Sequence, residues 1–454
     1  MRAIMTEHGL EHAANAAHRS AAQVSVERVG PRTAAGSAAP DLFAPFGVDA
    51  SIRPTTHRGR VASVFQKCDD YQEVRALRSQ GLYPYYRCIS SPQEPVVRMN
   101  ERDVIMLGSN NYLGLANHPE VKRAASRAME RFGTGCAGSR LLNGTLDVHV
   151  ELEEQLARFM KREAALTFST GFQVNLGVLS ALLGRQDLVF LDSLDHASII
   201  DGARLGFAKV LKYAHNDMQD LAGKLARAPA DKGKLVVVDG VFSMEGDLAD
   251  LPTLTKLAAE YGAAVMVDDA HGLGVFGEHG RGTPEHFGLE DRVDLVMGTF
   301  SKSLATVGGF IAGDESVIDY LRHNARSAIF SAAPPPASAA AATEALKIVE
   351  REPERRERLW ENTRYMKSEL RSLGFDTGDS ESPVIPIVIG SDLATFTAVK
   401  RLEEGGVFAN AVISPAVPQG CSLIRTSYMA THERKHLDRA LEVLAAVGRE
   451  LGVI

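Results

Sequence analysis

Long apolar runs are missing from this chain of 454 residues. No stretch reaches the ~18–20 consecutive apolar residues that a membrane-crossing helix needs, so no integral membrane segment is expected. The opening residues, MRAIMTEHGLEHAANAAHRS, have no apolar core of the kind that marks a secretion signal, and export is not expected either. Cysteine is scarce: Cys68, Cys88, Cys136 and Cys421 are scattered without a CxxC spacing. A disulfide framework and the common zinc patterns are thereby excluded, no metal is expected, and a reducing cytoplasm fits best. A strong charge of either sign is also absent. The net charge of −7 is small for this length and gives no reason to expect nucleic acid or an anionic membrane as partner.

What is present is the balance of an ordinary globular protein, 45% apolar and 24% charged. Residues 1–40 are rich in Ala, Ser, Arg and His and poor in large apolar side chains, which predicts a mobile tail. Residues 41–102 read as a helical and extended segment. It includes an aromatic cluster at Tyr83, Tyr85 and Tyr86, either a packed lead-in to a strand or a wall of a substrate entrance. From residue 165 onward, short apolar runs at 165–168, 188–191, 235–238, 263–267 and 293–296 alternate with helical segments. That alternation predicts an α/β fold with a mostly parallel sheet wrapped by helices on both faces. The large domain is placed at 103–336. A linking helix at 337–350 then leads into a smaller C-terminal α/β domain, 337–454 in all. The charged residues 354–358 read as a solvated continuation of that helix past Pro353.

In such sheets ligands bind at the carboxyl ends of the strands, and the residues following each apolar run are chemically apt. After 165–168 comes Ser169-Thr170-Gly171-Phe172, a small-residue turn opening a helix, whose free N–H groups suit a phosphate. The next runs are followed by Asp195-His196-Ala197-Ser198, by Asp239 with Ser243 close behind, and by Asp268-Asp269-Ala270-His271. The last run leads through Thr299 to Lys302, a lone lysine among small and hydroxyl residues. A lysine drawn into a site tends to lose its proton and become a nucleophilic amine. An amine, a carboxylate and a phosphate cradle on one sheet edge are what pyridoxal phosphate (PLP) requires.

The motifs SNNYLGLANHP, GSRLLNGT, FSTGFQVNLG, DHASIIDGARL, VFSMEGDLADL, VDDAHGLGVFGEHGRG, GTFSKS and SLIRTSYMATH, in this order from about residue 103, resemble those of the α-oxoamine synthases. These are fold-type I PLP enzymes that condense an amino acid with an acyl thioester and release carbon dioxide. The resemblance implies that Lys302 carries the cofactor as a Schiff base and moves the proton, that Asp268 pairs with the pyridine nitrogen, and that His271 meets the ring hydroxyl. It implies that His196 stacks on the ring, and that Gly171, Phe172, Ser243 and Thr299 help hold the cofactor. Ser331 would reach the phosphate of a neighbouring subunit, making a homodimer. Arg425 would bind the amino acid carboxylate, and Asn111 would line the substrate pocket. GTFSKSLATVGGF, YPYYR and PAVP are most similar to members that join L-serine to a long-chain acyl-CoA, the first step of sphingolipid synthesis. Members using alanine with pimeloyl groups or glycine stay open, as do an aminotransferase or aldolase, an acyl-carrier-protein donor and an inactive scaffold subunit.

Overall fold

Each of the apolar runs between 165 and 296 forms a strand, and the seven-stranded sheet they share dominates the fold. In the computed structural model, which describes residues 64–454, the spatial order is Ala164–Phe168, Gly309–Gly313, Leu295–Thr299, Ala264–Asp268, Lys234–Asp239, Leu188–Asp192, Lys209–Tyr213. Every neighbouring pair from Leu295–Thr299 to Lys209–Tyr213 is parallel, while Gly309–Gly313 runs antiparallel to both of its neighbours. Strands buried on both faces need no polar alternation, and Leu188–Asp192, Leu295–Thr299 and Gly309–Gly313 are buried at every position.

Two details differ from the sequence reading. The strand expected at 293–296 begins at Leu295 and continues through Gly298 and Thr299, beyond the end of the apolar run. Cross-strand packing explains the extension. Gly298 faces Phe310, and a Cβ at 298 would lie 2.3 Å from that ring. The segment 354–358 leaves Glu354, Glu357 and Arg358 exposed, as expected, but it starts a separate helix, Glu354–Ser372, rather than continuing the linking helix. Its Arg356 is buried, donating to the carbonyls of Val349 at 3.0 Å and Glu278 at 2.6 Å.

Helices form where apolar residues recur at helical spacing. Pro119–Phe132 buries Val121, Ala124 and Ala128, opens on a proline at its first position and ends at Gly133 with φ 82°. Pro336–Arg351 likewise buries Ala339, Ala342, Leu346 and Val349. A smaller antiparallel sheet orders Val384–Gly390, Ser422–Ser427 and Asn410–Val412. A third sheet joins the hairpin Val96–Met99 and Arg102–Met106 to Val407–Phe408.

Residues 72–454 form one compact unit, and the described part of 1–71 holds the short helix Gln66–Asp69. The tail expected at 1–40 and the first part of the 41–102 segment lie outside the described residues. The aromatic cluster divides: Tyr85 meets Tyr83 edge-on at 5.6 Å and Phe396 at 6.2 Å, whereas Tyr86 is 98% exposed; next to them the Arg87 guanidinium lies 3.6 Å from the Phe408 ring centroid while pairing with Glu403. Among the described residues no helix is long and apolar enough to cross a membrane, and no His, Cys, Asp and Glu cluster could hold a metal.

Candidate active site

Polar side chains gather where the parallel strands stop. Asp268 closes its strand in register with Asp239 on one side and Met297 on the other. Its carboxylate is buried and accepts from Asn175 Nδ2 at 2.7 Å and from the Ala270 N–H at 3.1 Å. Lys302 stands three residues past the end of the next strand and is half-buried. Burial draws its amine down from 10.5 to about 8, against the opposing pull of the Asp268 and Asp239 carboxylates. A useful fraction is therefore unprotonated near neutral pH, as a nucleophile or base requires.

Two histidines flank this pair. His196 caps the helix Ala197–Leu205, its backbone N–H donating to Asp239 Oδ2 at 2.7 Å. Its ring meets Phe172 edge-on at 6.4 Å. His271 Nδ1 lies 2.7 Å from the hydroxyl of buried Tyr112. Burial lowers the pKa of both rings, with the Lys302 charge acting the same way, and His271 falls well below its ordinary value. Both are neutral, and each has one ring N–H to give.

The phosphate-type cradle is built by close backbone approach. Thr170 caps the helix Gly171–Leu182 by accepting from the Gln173 N–H. A Cβ at Gly171 would lie 2.7 Å from Thr299 Oγ1, so only glycine lets this helix start sit against the strand end. Thr299 Oγ1 in turn contacts Ser301 Oγ at 2.9 Å and donates to the Gly308 carbonyl at 3.1 Å. The result is a cavity of about 200 Å³ whose lining includes Gly171, Phe172, His196, Ser243, Asp268, His271, Thr299 and Lys302. One sheet edge thus brings together eight residues expected from the sequence.

The other three lie outside that lining. Arg425, buried on Ser422–Ser427, connects to it by donating Nε to the Ser243 carbonyl at 2.6 Å and a second N–H to Asn110 Oδ1 at 3.1 Å. The guanidinium fork has five N–H donors, so some remain for a carboxylate. Ser331 Oγ accepts from Gln173 Nε2 at 3.1 Å, beside the helix start of its own chain. Asn111 accepts from the Ala116 N–H of its own loop at 3.2 Å and reaches the Gln93 carbonyl, ahead of the strand Val96–Met99, at 3.4 Å. Its neighbour Asn110 is the one that meets Arg425. Local sequence could not separate two adjacent asparagines, because the choice depends on a strand more than 300 residues away.

Sequence reasoning also passed over Asn175, Tyr112 and Asn110. All three lie inside motifs already quoted, FSTGFQVNLG and SNNYLGLANHP, but a buried amide or phenol gives no chemical signal until its partner is known.

A buried carboxylate, a half-buried amine of lowered pKa and a glycine cradle that a Cβ would fill are the features a PLP site needs, and the residues present fit that group. Residues 102–444 match the family described as Aminotransferase class I and II. The chain belongs to that family. It is 55% identical over 385 residues to the serine palmitoyltransferase of Sphingobacterium spiritivorum, a match spanning 85% of this chain and 96% of that one. An 8-amino-7-oxononanoate synthase of Symbiobacterium thermophilum is 46% identical across 84% of this chain and 98% of its own. Among solved structures, a lysine-to-alanine variant of serine palmitoyltransferase from S. paucimobilis, with a bound PLP–myriocin aldimine, superposes at a TM-score of 0.84. It shares 37% identity and covers 87% of this chain and all of its own. The fold-type I class and the α-oxoamine synthase resemblance expected from the motifs are borne out.

Proposed function

We propose that this chain is a PLP-dependent acyltransferase that condenses L-serine with a long-chain acyl-CoA, releasing carbon dioxide and free CoA and giving an α-amino ketone of the 3-ketodihydrosphingosine type. The observation that carries the reading is the amine of Lys302 and the carboxylate of Asp268 lining one cavity between two neutral histidines. High identity to serine palmitoyltransferases supports serine as the amino acid.

PLP, when bound, supplies a protonated ring that withdraws electrons from the amino acid's α-carbon. Lys302 would hold the cofactor covalently and then move the proton at that α-carbon. Asp268 would keep the proton on the pyridine nitrogen, its geometry fixed by Asn175 and Ala270. His271 would meet the ring hydroxyl, and His196 would cover the ring face and offer an N–H to the thioester carbonyl. The N–H groups of Gly171 and Phe172, with Thr299 and Ser243, would hold the rest of the cofactor. Arg425 would orient the amino acid carboxylate. Proton transfer by a positioned amine accounts for roughly 10²–10⁴-fold, so orientation and charge stabilisation supply the larger share.

A homodimer and a cytoplasmic location belong to the same reading. Leu142 and Phe330, 81% and 73% exposed, are large apolar side chains suited to a covered face, and the four cysteines are free. In such a dimer Ser331 would face the neighbouring site.

The test is product analysis by mass spectrometry of the purified, PLP-loaded protein, with serine, glycine and alanine crossed against a panel of acyl-CoAs and acyl-carrier-protein thioesters. Turnover is expected with serine and long-chain acyl-CoA, and to vanish in Lys302→Ala together with the visible absorbance of the bound cofactor. Preferential turnover of alanine with a pimeloyl thioester would favour the 8-amino-7-oxononanoate reading, which the 46% identity to such a synthase keeps as the alternative.

A further inference from the structure

The helices Gly171–Leu182 and Ala197–Leu205 approach closely because Gly202 stands at their contact, where a Cβ would lie 2.6 Å from the Asn175 carbonyl oxygen. That approach brings two fully buried side chains together. Asn175 Nδ2 lies 2.8 Å from Ser198 Oγ, and the same nitrogen donates to Asp268 Oδ2 at 2.7 Å. The amide cannot be turned round, since its oxygen would then face a carboxylate oxygen, acceptor against acceptor. An amide nitrogen only donates, so Ser198 Oγ accepts this bond and its own proton must go elsewhere. The acceptor within reach is His196 Nδ1, at 2.7 Å, which also receives the Ser198 backbone N–H at 3.3 Å. With two donors aimed at it, Nδ1 carries no proton. Burial keeps the ring neutral, and its single proton is left to Nε2.

We infer that Asn175 and Ser198 are positioning residues that lock His196 in the tautomer with its proton on Nε2. His196 then offers the site a hydrogen-bond donor at Nε2 and cannot serve there as a base. The same Asn175 nitrogen fixes Asp268, so the carboxylate and the histidine are set by one buried amide. The use of that donor on a thioester carbonyl rests on the function proposed above, whereas the tautomer does not.

The experiment is a long-range ¹H–¹⁵N correlation on the full-length, PLP-loaded protein labelled at histidine nitrogens, with His196 assigned from the signals missing in His196→Asn. The expected wild-type pattern is an unprotonated Nδ1 and a protonated Nε2. Ser198→Ala removes one of the two donors, and the ratio of Nε2–H to Nδ1–H forms should fall about fivefold, the usual worth of one net hydrogen bond. Asn175→Ala, which frees the Ser198 hydroxyl to rotate, should move the ratio in the same direction by less. A wild-type ring protonated on Nδ1 would overturn the inference even if neither variant folds, and so would an unchanged ratio in folded Ser198→Ala. Absence of turnover with serine and acyl-CoA would sink the proposed function instead, leaving the ring-nitrogen signals to report on the tautomer.

Discussion

Replacing Lys302 by methionine should make the cofactor-free protein more stable, because the site stores an unfavourable charge there. The amine is held at about 8 against 10.5 for an ordinary lysine. A difference of that size, at about 1.4 kcal/mol per unit, amounts to at most about 3 kcal/mol. For this group the folded state binds protons more weakly than the unfolded state. Stability therefore rises with pH across the window from about 8 to 10.5, and the penalty is fully present below about 8. Methionine keeps most of the side-chain volume and removes the charge. Unfolding entropy of about 2 cal/mol/K per residue gives about 1 kcal/mol/K for 454 residues, so Tm should rise by up to about 3 °C at pH 7. Circular dichroism melts of both cofactor-free proteins at pH 7 and pH 10 measure this. The gap should be widest at pH 7 and should narrow at pH 10. An equal or lower Tm for Lys302→Met at pH 7, or a gap that does not change with pH, would refute the reasoning. The cost is one a catalytic amine imposes: the burial that frees its lone pair also strains the fold.

Other outcomes follow from single contacts. Gly171→Ala should push the helix start off Thr299, since its Cβ would lie 2.7 Å from Oγ1; PLP affinity, read by absorbance titration, should drop about tenfold or more. Arg425→Lys keeps the charge but loses the fork that holds the Ser243 carbonyl and Asn110. KM for the amino acid should rise about tenfold, with kcat changed much less, in steady-state assays. Arg356→Met strips the Val349 and Glu278 carbonyls of a buried donor. The expected loss is about 2–4 kcal/mol, visible as a lowered Tm without any change in the spectrum of bound PLP.

The amino-acid sequence by itself determined the alternation of buried strand and helix, and with it the sheet edge where chemistry would collect. These are local properties: a run such as Leu235, Val236, Val237, Val238 is apolar whatever surrounds it, and the polar residue ending it marks the strand's end. Lys302, Asp268, His196 and His271 were therefore legible as neighbours before any coordinate was known. Tertiary structure alone decided the rest. The strand Gly309–Gly313 is not among the apolar runs picked out in the sequence, and it exists because Ala164–Phe168 and Leu295–Thr299 bond to it from both sides. Within the charged start of Glu354–Ser372 only Arg356 leaves the solvent, because Val349 and Glu278 offer it their carbonyls. Asn110 rather than Asn111 meets Arg425, and Asn175 meets both Ser198 and Asp268, because elements distant in sequence pack in contact. A local pattern specifies which face a residue shows, whereas the partner waiting at that face is chosen only when the whole chain closes.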